Sequence, residues 1–288
     1  MKRPNEPQRV TSILETVDVR TGERVALAEF DERIEAPNWT RDGKLLYNGQ
    51  GRLFAFDLAT REASPIDSGY ADRCNNDHVL SPDHERLAVS HHTREDGRSR
   101  IYVLPAGGGE PALITPLAPS YLHGWSPDGR TLAYCGERNG EYDIYTIPAS
   151  GGVETRLTDA PGLNDGPEYS PDGRHIWFNS VRTGLMQLWR MNADGSDQAQ
   201  MTFDDDSNSW FPHVSPDGRT IAYLAYRKGD VAPGEHPANK DVEIRLMPSA
   251  GGAYRTLVGL FGGQGTLNVH SWSPDGGRLA FVSYRLGE

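Results

Sequence analysis

The chain of 288 residues contains 32 glycines and 20 prolines, a composition typical of turn-rich β-sheet proteins. Its net charge of −11 and its lack of a basic run argue against a nucleic-acid backbone or an anionic membrane surface as partner. No stretch approaches the roughly 20 apolar residues of a membrane span. Residues 1–14 lack the apolar segment of a secretory signal, so we expect a cytoplasmic protein, periplasmic only if a leader has been removed.

The first predicted elements are a strand over residues 12–17, a turn over residues 18–22 and a strand over residues 24–28. After them the chain repeats one unit, whose signature is the turn Ser-Pro-Asp-Gly or a close variant, placed before a short apolar run. The turn aspartates stand at positions 42, 83, 128, 172, 217 and 275, so successive copies are 41, 45, 44, 45 and 58 residues apart. Such a period predicts a repeated supersecondary unit that buries its apolar face against its neighbours.

The third copy shows what one unit contains. Residues 123–126 read as a short strand, residues 127–129 supply a turn, and residues 131–135 form an apolar strand. Residues 143–147 alternate as a half-buried strand should, and residues 155–158 are a fourth, more polar strand. Four antiparallel strands in a unit of this length are typical of one propeller blade.

Six turns predict an all-β, six-bladed β-propeller with four antiparallel strands per blade. The chain ends soon after the sixth apolar strand, so the last blade lacks its two outer strands. The strands at residues 12–17 and 24–28 would supply them, closing the ring and removing exposed sheet edges. We therefore expect residues 1–288 to form a single propeller domain.

These repeats resemble the TolB-like repeat, also called PD40 or WD40-like, in their Trp-Ser-Pro-Asp-Gly turn, Leu-Ala-Tyr strand, Ile-Tyr strand and Gly-Gly turn. The resemblance covers residues 12–284 and implies the propeller fold, on which many functions occur. TolB itself resembles a two-domain periplasmic protein whose additional α/β domain has no counterpart here. A similar propeller enzyme, oligogalacturonate lyase, has an axial site that holds a divalent metal through histidines and a glutamine. Similar propellers precede a serine peptidase domain in the prolyl oligopeptidase family, but this chain has no Gly-x-Ser-x-Gly elbow.

Candidate functional residues are those at which the repeats differ. By the repeat pattern, seven of the nine histidines map to one face of the ring, here called the top face, which lies opposite the Ser-Pro-Asp-Gly turns. His78, His123 and His270 share one repeat position near the axis, where the other repeats have proline. Imidazole and carboxylate groups bind divalent ions such as Mn, Zn, Fe or Ni. The three histidines therefore indicate either a metal site or packing between blades.

The fifth repeat carries two insertions that also map to the top face, residues 227–241 and the glycine-rich residues 260–268. Long loops in compact repeats are often functional and can form a lid over a site. His236, Lys240 and Gln264 are the candidate residues within them. The alternative is a tolerated surface insertion.

Two functions fit these residues, and the favoured one is a binding module that holds a protein, peptide or small-molecule ligand at the top face and in the central channel. Its ligand-binding residues would be His78, His123, Asp165, His236, Gln264, Asn268 and His270. The alternative is a metal-dependent lyase or hydrolase acting on a polar substrate such as an acidic sugar. Its metal ligands would be His78, His123 and His270, and its proton-transfer candidates are Glu168, Glu35 and Lys240.

Overall fold

The computed structural model describes residues 9–287, which form 23 β-strands in six antiparallel sheets arranged as a six-bladed propeller. Two strands precede the first complete blade, namely β1 (Val10–Asp18) and β2 (Arg24–Phe30). The first blade, from the axis outwards, comprises β3 (Ile34–Trp39), β4 (Lys44–Gly49), β5 (Arg52–Asp57) and β6 (Ala63–Ile66). The second comprises β7 (Cys74–Leu80), β8 (Arg86–His92), β9 (Ser99–Pro105) and β10 (Ala112–Leu113).

The later blades follow the same order. The third comprises β11 (Ser120–Trp125), β12 (Thr131–Arg138), β13 (Glu141–Pro148) and β14 (Thr155–Arg156). The fourth comprises β15 (Asn164–Tyr169), β16 (His175–Thr183), β17 (Leu185–Asn192) and β18 (Ala199–Gln200). The fifth comprises β19 (Ser207–Val214), β20 (Thr220–Arg227), β21 (Lys240–Pro248) and β22 (Arg255–Gly262), and the chain then reaches β23 (Arg278–Leu286).

The sixth blade joins the two ends of the described chain, as the sequence predicts. Strand β1 pairs with β23 along nine residues, from Val10 opposite Leu286 to Asp18 opposite Arg278, and β2 lies outside β1. The innermost position of this blade is reduced to an isolated bridge between Trp272 and Leu279. The ring is therefore closed by strands from both ends of the sequence.

The Ser-Pro-Asp-Gly turns are held by their own side chains. In the third blade the Ser126 hydroxyl donates to the Asp128 carboxylate at 2.6 Å, and the backbone N–H groups of Arg130 and Thr131 donate to Asp128 and Ser126. The same serine–aspartate bond recurs in the second, fourth, fifth and sixth blades. These aspartates thus serve the turn, as their regular repetition predicts.

Neighbouring blades are tied together at the end of the inner strand. The indole nitrogen of Trp125 donates to the carbonyl of Val79 in the preceding blade at 2.9 Å, and that of Trp272 donates to the carbonyl of His213 at 3.0 Å. The tryptophan of the turn signature therefore secures the ring as well as filling its core.

All five complete inner strands carry a β-bulge at a corresponding place. The first, fourth and fifth blades have proline at the position that histidine holds in the other three. The residue before each of these prolines has a left-handed backbone, with φ of 58° at Ala36, 62° at Gly166 and 54° at Phe211. A bulge re-aims the side chains that follow it. Asn38 and Glu168, next after those prolines, face the lower half of the channel.

Within the described part of the chain, no helix is long and apolar enough to cross a bilayer.

Candidate functional site

A cavity of about 610 Å³ opens at the top face, where the inner strands begin. Five of the seven predicted ligand-binding residues line it, contributed by the third, fourth and fifth blades and by the chain entering the sixth: His123, Asp165, His236, Gln264 and Asn268. Asn75, Asn76, Asp77, Tyr121, Tyr142 and Phe211 complete most of its wall. We call this space the top cavity.

Two buried carboxylates face the top cavity. Asp77 accepts hydrogen bonds from the side-chain amides of Asn268 at 2.8 Å and Asn75 at 2.7 Å. Asp165 accepts from the backbone N–H of Gly166 at 2.7 Å and lies 3.2 Å from the His123 ring. The cavity wall is therefore rich in hydrogen-bond acceptors.

The two carboxyl groups are shifted in opposite directions. Burial raises the pKa of Asp77, and the nearby Asp165 carboxylate raises it further, while His123 only partly offsets the effect. Burial alone would raise the pKa of Asp165 too, but the hydrogen bond and charge of His123 hold it below its usual value. For His123, burial acts to lower the pKa, and the Asp165 carboxylate outweighs it, so the pKa is raised. Asp165 and His123 thus stabilise each other's charged forms, whereas burial favours the neutral form of Asp77.

Aromatic rings form the other side of the top cavity. The Phe211 ring stacks on that of His123 with a centroid distance of 5.8 Å. The His236 ring meets Trp210 edge-on at 4.3 Å and Phe211 at 5.2 Å. His236 comes from the first insertion, so this loop reaches over the cavity and packs on its wall.

The two insertions are in direct contact. The carbonyl of Pro237 accepts hydrogen bonds from the Tyr226 hydroxyl at 3.0 Å and the Gln264 backbone N–H at 3.4 Å. A Cβ on Gly263 would lie 2.2 Å from that carbonyl oxygen, so only glycine permits the approach. The two insertions, here called the lid loops, are therefore tied to each other. Lys240 lies at the end of the first insertion, where its ammonium group donates to the carbonyl of Asp230 at 3.1 Å.

A second cavity, of about 450 Å³, opens among the Ser-Pro-Asp-Gly turns on the opposite face. We call it the bottom cavity. Trp39, Trp125, Tyr169 and Trp272 line it together with prolines of five turns, and His123 lines both cavities. His270 faces the bottom cavity and not the top one, in contrast to the sequence-based expectation.

The Glu168 carboxylate is the centre of a network beside the bottom cavity. It accepts hydrogen bonds from His213 Nδ1 at 2.7 Å, from His270 Nδ1 at 3.1 Å and from the backbone N–H of Val214 at 2.7 Å. Burial alone would raise the pKa of Glu168, but the charges of His270 and His213 lower it to about 2. Glu168 is therefore ionised, and both of its oxygens accept hydrogen bonds. It links β15 to β19 and to the segment that enters the sixth blade.

Both ring nitrogens of His213 face acceptors. Its Nε2 lies 3.1 Å from the carbonyl oxygen of Leu267, which can only accept, and its Nδ1 faces the ionised Glu168 carboxylate. For His270, burial acts to lower the pKa, and the charge of Glu168 outweighs it, so the pKa is raised.

His78 lines neither cavity. Its side chain is fully buried between the first two blades, where its Nδ1 lies 2.9 Å from the Asn38 side-chain oxygen. Burial lowers the pKa of His78 to about 4, so the ring is neutral. The Asn38 amide in turn donates to the carbonyl of His270 at 2.9 Å. Of the two roles considered for the shared histidine position, packing between blades is the one that His78 fulfils.

The three histidines at the shared position thus have three different partners, Asn38, Asp165 and Glu168. Among residues 9–287, no three His, Cys, Asp or Glu side chains form a group that could hold a metal ion. The arrangement does not fit a three-histidine metal centre like that implied by the resemblance to the lyase. Glu35 also lines neither cavity, and it accepts a long hydrogen bond from Asn48 at 3.4 Å.

Two important residues escaped the sequence reasoning, Asp77 and His213. The equivalents of Asp77 in the other repeats are Ala36, Leu122, Gly166, Phe211 and Val269. One carboxylate in an otherwise uncharged set of positions was a usable signal. His213 follows a proline, and without knowledge of the bulge its direction could not be read from the alternation of the strand.

Comparison with known proteins supports the fold at several levels. Residues 116–250 match a family model described as the TolB beta propeller domain, PD40. An uncharacterized protein of Agrobacterium fabrum is 48% identical over 276 residues, which cover 95% of this chain and 92% of that protein. A solved TolB-like structure from Agrobacterium tumefaciens matches with a TM-score of 0.91 at 46% identity, covering 97% of this chain and 99% of the other.

More distant relatives carry functional names. A Tol-Pal system protein TolB of Francisella tularensis is 26% identical over 214 residues, which are 70% of this chain and 47% of that protein, so the match spans about half of its length. A structure of oligogalacturonate lyase in complex with manganese matches with a TM-score of 0.56 at 19% identity, covering 90% of this chain and 75% of the other. At that identity the likeness concerns the fold.

Proposed function

This chain belongs to the TolB-like β-propeller family, and we propose that it is a binding module that holds a protein, peptide or small-molecule ligand in the top cavity. One observation carries the proposal: residues from three blades and from both lid loops converge on this cavity. His123 and Asp165 form its floor, and His236 and Gln264 belong to the loops over it. Ligand sites are typically concave, partly aromatic and equipped with a few convergent polar groups.

The wall chemistry favours a ligand that donates hydrogen bonds, and in particular a cationic amine. The carboxylates of Asp77 and Asp165 are acceptors, and burial leaves the charge of Asp77 poorly compensated. The rings of Tyr121, Tyr142 and Phe211 line the same space. Aromatic faces attract cations, so an ammonium group would gain from both kinds of wall. A peptide could present such a group as a lysine side chain or an amino terminus.

The test compares two small probes of equal shape, 2-phenylethylamine and 2-phenylethanol, by isothermal titration calorimetry. We expect the amine to bind about tenfold more tightly, because it makes a charge-assisted hydrogen bond. Asp77→Asn should remove this preference, because the hydrogen-bond donors to Asp77 are the neutral amides of Asn75 and Asn268. Asp159→Asn, the same change in an exposed loop, should retain it. Equal affinity of the two probes for the unaltered protein, or binding of neither, would contradict the proposal.

Partnership in an assembly like that of the curated TolB relatives is a further part of the proposal, because those relatives are named for the Tol-Pal system. A protein ligand would place a donor-bearing segment beneath the lid. The cytoplasmic location is a prediction from the sequence alone, and fractionation of the source cells tests it. Recovery of the chain with periplasmic contents would show the prediction to be wrong.

Catalysis is the second candidate, favoured by the opposite pKa shifts of Asp77 and Asp165 in one cavity. Such separation is typical of pairs in which one carboxyl donates a proton and the other accepts one. The substrate would again be a polar molecule, such as a sugar. Incubation with oligogalacturonate and neutral oligosaccharides, followed by product analysis, tests this role. Turnover lost in both Asp77→Asn and Asp165→Asn would favour it over simple binding.

A further inference from the structure

The bottom cavity differs from the top cavity in the charges on its wall. Among the described residues that line it, Glu168 is the only carboxylate, whereas Arg41, His84, His123 and His270 are basic. Glu168 is already satisfied by His213, His270 and the Val214 N–H. One carboxylate, already hydrogen-bonded, among several basic side chains favours an anion at the open side of the network.

That open side is the Nε2 of His270. Its Nδ1 lies 3.1 Å from Glu168, which fixes the ring, and in the protonated form that the Glu168 charge favours, Nε2 is a second donor. The His270 side chain is 38% exposed, although the ring of blades encloses it, because it faces the cavity. No hydrogen bond to Nε2 is formed by the residues that the structure describes. A ligand that enters from the bottom face therefore meets an oriented N–H donor.

The remaining wall is apolar and aromatic. Trp39, Trp125 and Trp272 stand at equivalent places in the first, third and sixth repeats, and Tyr169 takes that place in the fourth. The turn prolines at positions 82, 127, 171, 216 and 274 complete the wall. Flat rings beside prolines form a surface on which another ring can stack.

We propose that the bottom cavity is a second binding site, which takes a ligand that joins an aromatic ring to a carboxylate. The carboxylate accepts the hydrogen of His270 Nε2, and the ring packs among the tryptophans. Arg41, at the rim, donates to the carbonyl of Pro82 and adds positive charge along the way in. His123 is the one described residue that lines both cavities, so substitutions elsewhere in either wall test the two proposed sites separately.

The probes are 3-phenylpropionate and N-acetylglycylphenylalanine, each compared with its neutral amide by tryptophan fluorescence and calorimetry. We expect each acid to bind about tenfold more tightly than its amide, since hydrogen bonds to charged groups are the stronger ones. Preference for the dipeptide would identify a peptide carboxyl terminus as the source of the carboxylate. Preference for phenylpropionate would identify a small aromatic acid.

His270→Gln should weaken binding of the acids about tenfold and leave binding of the amides unchanged. His175→Gln is the matched control, because His175 lies at the start of β16 on the same face and outside the cavity. Gln264→Ala, which alters only the top cavity, should leave the acids unaffected. Arg41→Met changes only an exposed side chain and should weaken the acids by about threefold, so it serves even if His270→Gln fails to fold.

A crystal soaked with 3-(4-bromophenyl)propionate locates the site directly. We expect the bromine among the tryptophans and the carboxylate within hydrogen-bond distance of His270 Nε2. Equal affinities for acid and amide, an unchanged preference in His270→Gln, no binding of any probe, or bromine located elsewhere would each overturn the proposal.

Discussion

At the bottom of the channel the Glu168 carboxylate accepts three hydrogen bonds, two of them from histidines. At the top, Asp165 lies 3.2 Å from His123 and 3.9 Å from His236, and Asp77 accepts from two neutral amides. All three carboxyl groups lie on the innermost strands of their blades, Asp77 on β7 and the other two on β15. The bottom network joins three blades and has its charges compensated, so it contributes to stability. The top network retains a poorly compensated carboxyl, so it is arranged for a ligand.

The largest effect should come from breaking the bottom network with Glu168→Gln. The neutral amide removes the buried negative charge to which both histidines and the Val214 N–H are bound, and breaking a buried charged network costs about 3–5 kcal/mol. Urea denaturation measures the free energy of unfolding. Glu62→Gln, on an exposed residue, is the control and should be neutral. A loss as small as that of the control would mean that Glu168 does not tie the blades.

The next effect is a pH dependence that originates in His78. Because the pKa of this buried ring is about 4 in the folded protein and 6.5 is its ordinary value, folding favours the neutral form. The free energy of unfolding is therefore not reduced by this ring above pH 6.5. It falls as the pH decreases towards 4, in total by on the order of 3 kcal/mol. His78→Gln should flatten the stability curve in this window. Parallel curves for the two proteins would contradict the assignment.

A smaller change is expected when the lid loops are separated by Gly263→Ala. A side chain there meets the Pro237 carbonyl and forces an unfavourable backbone with φ of 117°, at a cost of roughly 1–3 kcal/mol. Weaker binding of 2-phenylethylamine should accompany the loss. Gly259→Ala is the matched control, because a Cβ there meets nothing within 4 Å. The lid would be irrelevant to binding if only stability changed.

The smallest effect on stability should follow from His236→Ala. Loss of its edge contacts with Trp210 and Phe211 costs about 1 kcal/mol. Affinity for the amine probe should fall more than stability does, because the cavity loses its cover. His92→Ala, at the edge of the same cavity, is the comparison. Equal losses of affinity in the two variants would show that His236 has no special position.

The fold could be predicted because its determinants are local and repeated. The turn serine and aspartate bond each other two residues apart, and the apolar runs that follow became the second strands β4, β8, β12, β16, β20 and β23. The pairing of β1 with β23 followed from counting strands. These inferences needed no knowledge of the distance between blades.

The site could be predicted only in part, because the bulges decide where its side chains point. His123 and His270 hold the same repeat position, yet His123 reaches the top cavity and His270 only the bottom one. The two histidine partners of Glu168 lie 45 and 102 residues away from it in the sequence. The repeat pattern alone does not indicate which residues at such separations come into contact. The lid residues were recognised because an insertion is visible without knowledge of any side-chain direction.

The pairing of β1 with β23 also bears on how the chain reaches its native state. Val10 must find Leu286, so the last sheet joins residues separated by nearly the whole sequence. Contacts of such long sequence separation slow folding, because the entropy of loop closure is lost before the contact is gained. Until then the hairpin of β1 and β2 exposes an unpaired edge that can recruit another chain. A circular permutant that joined the present ends and began between the second and third blades, in the loop of residues 116–119, would make the strand pairing of every blade local. It should refold faster without altering either cavity.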